Sequence, residues 1–121
     1  MRELKFKAWL KFEKKFKKVK MIDFIEEKIW TGANWYDFDD IELIEYTGLK
    51  DRNAVKIFEG DIVNTDEAWK PIFMVEWDKE MGKWRMANDF SYKSLWFVHN
   101  YEVIGNIYEN PELLEVNANV D

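Results

Sequence analysis

Few residues of this chain have the types and spacing that acid–base or nucleophilic chemistry requires. His99 is the single histidine and cysteine is absent. A Ser-His-Asp triad would have to combine His99 with Ser91 or Ser94, and neither serine lies in a nucleophile-elbow motif. We therefore interpret His99 as a turn residue between two strands, and we expect no catalytic residue and no enzymatic activity.

Metal and phosphate sites have equally little support. A zinc site is implausible with one histidine and no cysteine. The acidic run Asp37, Asp39, Asp40 and Glu42 could offer oxygen ligands to Mg²⁺ or Ca²⁺, but it lacks the spacing and glycine of a calcium-binding loop, so a solvated turn is favoured. A second cluster, Glu76, Asp78 and Glu80, could do general acid–base work, but carboxylates that keep a strand edge soluble are far commoner. The glycines are isolated, so no phosphate loop is formed. We expect neither a metal nor a cofactor.

Charge is distributed unevenly along the chain. Residues 1–20 hold nine basic and two acidic side chains, which gives +7, and the other 101 residues hold nine basic and 22 acidic ones, which gives −13. Small β-barrels bind single-stranded nucleic acid by combining lysines with exposed aromatic rings. The candidate nucleic-acid residues are Lys5, Lys7, Trp9, Lys11, Lys14, Lys15, Lys17 and Lys18.

Two observations oppose a nucleic-acid site in this segment. The −13 on the rest of the chain repels phosphates over a Debye length of about 8 Å at physiological salt. Lysines are also the usual means of protecting the edge strand of a sheet against unwanted pairing. Nucleic-acid binding is therefore the alternative and not the first interpretation.

Aromatic residues favour protein association instead. The chain holds seven Trp, nine Phe and five Tyr, and Trp and Tyr are enriched at protein interfaces. The candidate interface residues are Trp30, Trp35, Tyr36, Trp69 and Trp84, which fall in or beside expected loops. The alternative is that most of these rings fill the core. Since oppositely charged segments could pair between subunits, we expect a homo-oligomer, with a host or phage protein as another possible partner.

The opening segment has two competing interpretations. Apolar residues alternate with lysines over residues 4–10 and partly over 15–25, which predicts a β-hairpin with a turn between the strands. Trp9, Phe12, Phe16 and Val19 also lie at helical spacing, as in an amphipathic helix on a membrane surface. The hairpin is the favoured interpretation. No run reaches the roughly 18 apolar residues of a membrane span, so we expect no membrane partner.

The rest of the chain reads as many short strands linked by turn signals. Strands are expected at residues 28–30, 41–46, 55–58, 61–64, 71–77, 84–87, 94–98 and 101–108, with a turn-rich stretch at 31–40. For residues 41–46 the alternative is a short helix capped by Asp39 or Asp40. Gly48 is expected to let the chain reverse after Thr47, and Asn110-Pro111 to start one short helical turn. These features predict one domain over residues 1–121, a small all-β barrel or sandwich whose residues 117–121 fray.

Four segments resemble the YopX family of phage and prophage proteins: EYTGLKDRNAVKIFEGDIV (45–63), ELKFKAWL (3–10), VEWD (75–78) and EVIGNIYENPELLE (102–115). The resemblance covers nearly the whole chain. It implies a mainly β module with a small SH3-like barrel and additional strands. Where the family often has a turn glycine, this chain has Asn53-Ala54, and asparagine tolerates positive φ.

The resemblance implies a phage or prophage accessory protein of undefined biochemical role, with no catalytic or ligand-binding residue to transfer. Together with the composition, it favours a non-enzymatic protein-binding or self-assembling module. The absence of cysteine fits a reducing compartment, so we expect the host cell cytoplasm.

Overall fold

The computed structural model describes residues 5–116 and is mainly β, as the sequence predicts. Leu4 and the tail predicted to fray, residues 117–121, lie outside the described residues. The chain divides into two compact units, residues 1–46 and residues 47–121. Each unit has its own buried apolar cluster.

Unit 1 is built from two small antiparallel sheets. Its strands are β1 (Phe6–Leu10), β2 (Lys15–Lys18), β3 (Met21–Asp23), β4 (Lys28–Trp30), β5 (Trp35–Asp37) and the first part of β6 (Ile41–Lys50). One sheet has the order β2-β1-β6, and the other has the order β3-β4-β5. A single 3-10 turn, Phe38–Asp40, leads into β6.

The hairpin prediction for the opening segment is confirmed. β1 and β2 pair antiparallel with Trp9 opposite Phe16, so the helical interpretation of residues 9–19 is wrong. Alternation along β1 places Ala8 and Leu10 on one face, where they are buried with Ile29 and Ile41. Burial of this period-two apolar face outweighs the helical spacing of the neighbouring aromatics.

Unit 2 is dominated by a five-stranded antiparallel sheet. The strands that lie wholly in unit 2 are β7 (Lys56–Phe58), β8 (Asp61–Asn64), β9 (Ile72–Asp78), β10 (Lys83–Ala87), β11 (Tyr92–Ser94) and β12 (Glu102–Asn106). The sheet order is β11-β10-β9-β8-β12, while β7 pairs with β6. Two 3-10 helices follow β11 and β12, at Leu95–Asn100 and Pro111–Val116.

One face of this sheet forms the core of unit 2. The buried cluster is Ile57, Val63, Phe73, Val75, Met86, Leu95 and Val98. Leu95 and Val98 come from the first 3-10 helix, in which residues three apart lie on the same side. Each such apolar side chain contributes roughly 1.5–3 kcal/mol by leaving water, so burial of this face stabilises the sheet.

Three local expectations are wrong. Residues 94–98 do not form a strand, because the Ser94 side chain accepts the Trp96 N–H and starts the 3-10 helix. The stretch 31–40 contains strand β5 and a 3-10 turn. Gly48 does not reverse the chain, because β6 continues through it with φ of +86°. The C-terminal helical turn is present as a 3-10 helix.

The chain reverses at Asp51, whose buried carboxylate joins two distant segments. One oxygen accepts the N–H groups of Asn53 (2.8 Å) and Val55 (3.0 Å), and the other accepts Val103 N–H (2.9 Å). Burial by itself raises the pKa of Asp51, but these backbone donors and the nearby Arg52 guanidinium outweigh it. The pKa of Asp51 therefore lies below its ordinary value of 3.8.

The remaining residues of the 45–63 signature also have architectural roles. The Thr47 hydroxyl donates to Ile57 O at 2.7 Å, and the Asp61 carboxylate accepts Phe58 N–H at 2.9 Å. Positive φ falls on Ala54 (+63°) and not on Asn53, and on Gly60 (+87°). These residues of the signature fix turns, as its sequence suggests.

Candidate binding surface

The face of the five-stranded sheet opposite the core carries the most developed surface feature of unit 2. Register places Met74 opposite Ala87, and Ala87 opposite Tyr92, so these three side chains share a face. Glu76 lies opposite Arg85 on the same face. Because side chains alternate along a strand, this face excludes the core residues Val75 and Met86.

A cavity of about 180 Å³ opens on this outer face. It is lined by Met74, Glu76, Ala87, Asn88, Asp89 and Leu114. Its apolar lining comes from β9, β10 and the C-terminal 3-10 helix, and the carboxylates of Glu76 and Asp89 add negative charge. Pockets for small-molecule ligands measure about 300–1,000 Å³, so this cavity is smaller than a typical ligand pocket.

Arg85 is held rigidly beside the cavity. Its guanidinium donates to Glu76 from Nε at 2.9 Å and forms ion pairs with Glu76 (2.7 Å) and Asp78 (3.4 Å). The hydrogen bond to Glu76 raises the pKa of Arg85 above its ordinary value. The same guanidinium lies 5.1 Å from the centre of the Tyr92 ring, which is 70% exposed. Arg85 thus supports an exposed ring from beneath.

Two further exposed rings lie close to Asn88 and Asp89, which line the cavity. Trp69 and Phe90 have centroids 5.3 Å apart, and the Lys70 ammonium lies 4.6 Å from the Phe90 centroid. The Asn88 side chain connects the two loops, because it donates to Lys70 O and Ile72 O at 3.2 Å. It also accepts the N–H of Phe90 at 2.8 Å. We call Trp69, Phe90 and Tyr92 the aromatic rim.

The structure separates the five predicted interface residues. Trp30 and Trp35 meet in unit 1 with centroids 5.3 Å apart, and Trp35 is exposed while Trp30 is half-buried. Tyr36 packs against the unit 1 core. In unit 2, Trp69 joins the aromatic rim, whereas Trp84 packs against the core and forms an edge-to-face pair with Trp77.

Trp84 also has an unusual polar group. Its indole Nε1 is buried without a hydrogen-bond partner among residues 5–116. Buried indole N–H groups usually find an acceptor, so this ring contributes packing and leaves one donor unsatisfied. Trp35 and Trp69 are consequently the two predicted interface residues whose rings are exposed.

The predicted nucleic-acid residues also divide. Trp9 is 8% exposed and packs on Phe16 at 4.8 Å, so it cannot stack on a base. Lys7 lies over the Phe16 ring at 4.2 Å. Lys11 donates to Asp39 O at 3.0 Å and lies 3.8 Å from Glu42. The remaining candidates have exposed side chains: Lys5, Lys14, Lys15, Lys17 and Lys18.

Sequence reasoning missed Phe90 and Tyr92 because it expected the strand at 94–98. With the strand at Tyr92–Ser94, period two places Tyr92 and Ser94 on the face opposite Lys93. The turn Asn88–Ser91 was the available signal, since an asparagine commonly accepts the N–H two residues later.

Phe12, which is 82% exposed, lies in the predicted hairpin turn.

The residues with catalytic potential are engaged locally. The Ser94 hydroxyl accepts Trp96 N–H at 3.2 Å, and His99 Nδ1 lies 3.0 Å from Trp96 O. Both therefore bind the backbone of the same 3-10 helix. Among residues 5–116, no three His, Asp or Glu side chains are grouped so that they could hold a metal ion. Over the same range, no helix is long and apolar enough to cross a membrane.

Comparison with known proteins identifies relatives without a described activity. The model of the family described as YopX protein matches residues 5–115. The crystal structure of protein EF1440 from Enterococcus faecalis is similar, with 27% sequence identity and a TM-score of 0.71. That likeness covers 95% of this chain and 100% of the other. No curated protein matches the chain.

Proposed function

The chain belongs to the YopX family, and from this premise we propose that it is a non-enzymatic accessory protein of phage or prophage genomes that binds protein through the aromatic rim. The observation that carries the proposal is the exposure of three large rings near a side-chain-sized cavity. Trp69 is 59% exposed, Phe90 50% and Tyr92 70%. Exposed aromatic clusters of this kind mark interaction sites.

The geometry favours a protein over a small molecule. The cavity of about 180 Å³ is smaller than a ligand pocket but large enough for a side chain. Interface hot spots typically place one ring of a partner in such a hollow, surrounded by contacts that exclude water. Arg85 and Lys70 already contact rings of the rim, so the surface is preorganised and loses little side-chain freedom on binding.

We take a second copy of the chain as the partner. A two-fold interface brings the same surface of both copies together, so that surface must be complementary to itself. The outer face offers both parts of such a contact, a protruding Tyr92 ring and an apolar hollow lined by Met74, Ala87 and Leu114. The homo-oligomer expected from the sequence would then be a dimer through this face.

Light scattering on the purified chain at micromolar concentration tests the proposal. We expect a mass above the 14.7 kDa of one chain, and a return to that mass in the triple variant Trp69→Ala, Phe90→Ala, Tyr92→Ala. Trp96→Ala is the matched control, because Trp96 is 71% exposed on the 3-10 helix that covers the opposite face. A wild-type chain that stays monomeric at about 100 µM has no dimer with a Kd in the micromolar range or below, and this result would contradict self-association.

Three further expectations from the sequence, on location, barrel type and domain bounds, are also part of the proposal. The host cell cytoplasm is the proposed location, which the absence of cysteine supports. The small SH3-like barrel is proposed for unit 2, which the five-stranded curled antiparallel sheet supports. A single YopX-like domain over residues 1–121 is also proposed, and the family match over residues 5–115 supports it.

A further inference from the structure

A second surface, separate from the aromatic rim, lies along the β1–β2 hairpin of unit 1. Of the eight residues that the sequence nominated for nucleic acid, Trp9 is buried and Lys11 is occupied by Asp39 O and Glu42. Lys7 is committed to the Phe16 ring. The Trp9 ring is therefore not available for stacking, and the charges of Lys7 and Lys11 are engaged within the fold, contrary to the interpretation from the sequence.

The structure leaves a different set of cations exposed. We call these the lysine strip: Lys14, Lys15, Lys17, Lys18 and Lys20. All five are exposed, and within residues 5–116 none forms an ion pair. β2 is the edge strand of its sheet, so no neighbouring strand covers it. Since a strand rises about 3.3 Å per residue, Lys15 and Lys17 project on one face about 6.6 Å apart.

Self-neutralisation would have been the simplest use for these lysines. The cross-strand partners of Lys15, Lys17 and Lys18 are Leu10, Ala8 and Lys7, which include no carboxylate. Between residues 11 and 20, Glu13 is the single acidic residue. The strip therefore carries positive charge that the described part of the fold does not use.

An exposed ring adjoins the strip. Phe12 lies in the turn that joins β1 to β2 and is 82% exposed. Base–aromatic stacking tolerates every base because each base has a π-face. A ring at the end of a cationic strand is therefore suited to unpaired bases, whereas duplex recognition uses an element that enters a groove.

We propose that the lysine strip binds the phosphate backbone of single-stranded nucleic acid, with Phe12 stacking on one base. The contact is electrostatic, independent of sequence and weak, because the acidic remainder of the chain repels phosphates within about a Debye length. Binding of this kind releases counterions, so its affinity falls as salt rises.

Fluorescence anisotropy with a labelled oligothymidine, titrated with the full chain between about 50 and 200 mM salt, tests the proposal. If all five lysines contact phosphates, the slope of log K against log salt is about −3.5, from 0.7 per contact on a single strand. Replacing the five lysines by Gln abolishes retention, and replacing them by Arg preserves it.

Two further variants separate the contributions. Lys79→Gln with Lys83→Gln is the matched control, since both lysines are exposed at the β9–β10 turn of unit 2, and it leaves affinity unchanged. Phe12→Ala weakens binding at least about fivefold and leaves the salt slope unchanged, because stacking is not a counterion effect. Circular dichroism of each variant verifies folding.

Several outcomes would overturn the inference. These are no binding at the lowest salt, full binding by the Gln variant, and a duplex of equal length binding as tightly as the single strand. Binding of polyglutamate in place of the oligonucleotide would assign the strip to acidic proteins. The lysines could instead contact a second copy of the chain, which light scattering of the Gln variant tests. Loss of self-association with unchanged nucleic-acid binding would assign the lysines to that contact.

Discussion

The Asp51 loop of unit 2 and the lysine strip of unit 1 are opposites in how they use charge. Asp51 is 5% exposed and each of its carboxylate oxygens accepts backbone N–H groups. The lysines of the strip are exposed and have no ion-pair partner within residues 5–116. One region uses charge to fix the chain, and the other holds charge that folding does not require.

This contrast separates family signature from binding surface. The residues that carry the strongest resemblance, around Asp51, are used up by internal hydrogen bonds, so their pattern reports architecture. The hairpin edge and the aromatic rim, where we propose that partners bind, carry exposed side chains instead. On these proposals, the most recognisable segment of the chain is not the binding site.

Removing the carboxylate of Asp51 gives the largest expected effect. Asp51→Ala leaves three backbone donors without an acceptor, and we expect a loss of about 2–4 kcal/mol in the free energy of unfolding, measured by urea denaturation. Asp66→Ala, which removes an exposed partner of Arg52, should cost much less, and Lys17→Gln less than about 0.5 kcal/mol. Equal losses of unfolding free energy in the three variants would contradict the difference between the buried Asp51 and the exposed charges.

The stability of the chain should also depend on pH through Asp51. Because the folded pKa lies below the ordinary value, the ionised carboxylate stabilises the fold above about pH 4, and this contribution is lost as pH falls through the folded pKa. Urea denaturation of wild type and Asp51→Asn between pH 2 and 7 (about the range of carboxyl titration) should show a difference that narrows below about pH 4. If the difference in unfolding free energy between wild type and Asp51→Asn stays constant over this pH range, ionisation of the Asp51 carboxylate does not stabilise the fold.

Backbone strain gives the smallest effect and tests both regions alike. Ala54 in the Asp51 loop and Lys14 beside β2 have φ of +63° and +59°. Replacing either by Gly should raise the free energy of unfolding by about 0.5–1 kcal/mol, since relief of strain exceeds the added entropy of the unfolded chain. Asn53→Gly is the control and should destabilise. A stabilised Asn53→Gly would place the strain one residue earlier.

Period-two alternation was sufficient to predict the hairpin and most strands, since burial of one face decides local structure where apolar residues alternate. It failed at residues 94–98. There a run of apolar residues fits a strand or a helix equally well, and the Ser94 side chain, by capping Trp96 N–H, decided the outcome. The extent of β6 was missed because glycine signals a turn by composition, although Gly48 accommodates positive φ inside the strand.

Exposure of individual rings could not be predicted from the sequence. Trp9 and Phe12 look alike in a lysine-rich segment, yet one is buried against Phe16 and the other projects from the turn. The difference arises because Trp9 lies within β1 opposite Phe16, whereas Phe12 lies in the turn beyond the end of the strand. Likewise, Tyr92 lies beside the cavity-lining Ala87 only because of the register between β10 and β11.

The bond from Val103 N–H to Asp51, which spans 52 residues of sequence, also has a consequence for synthesis of the chain. As the polypeptide leaves the ribosome, the loop containing Asp51 emerges well before β12 does. Until that last strand docks against β8, the carboxylate lacks one of its donors, and long-range closure of this kind is slow. The order of translation therefore makes docking of the C-terminal strand a late folding event, and nascent chains stopped short of it should be readily degraded.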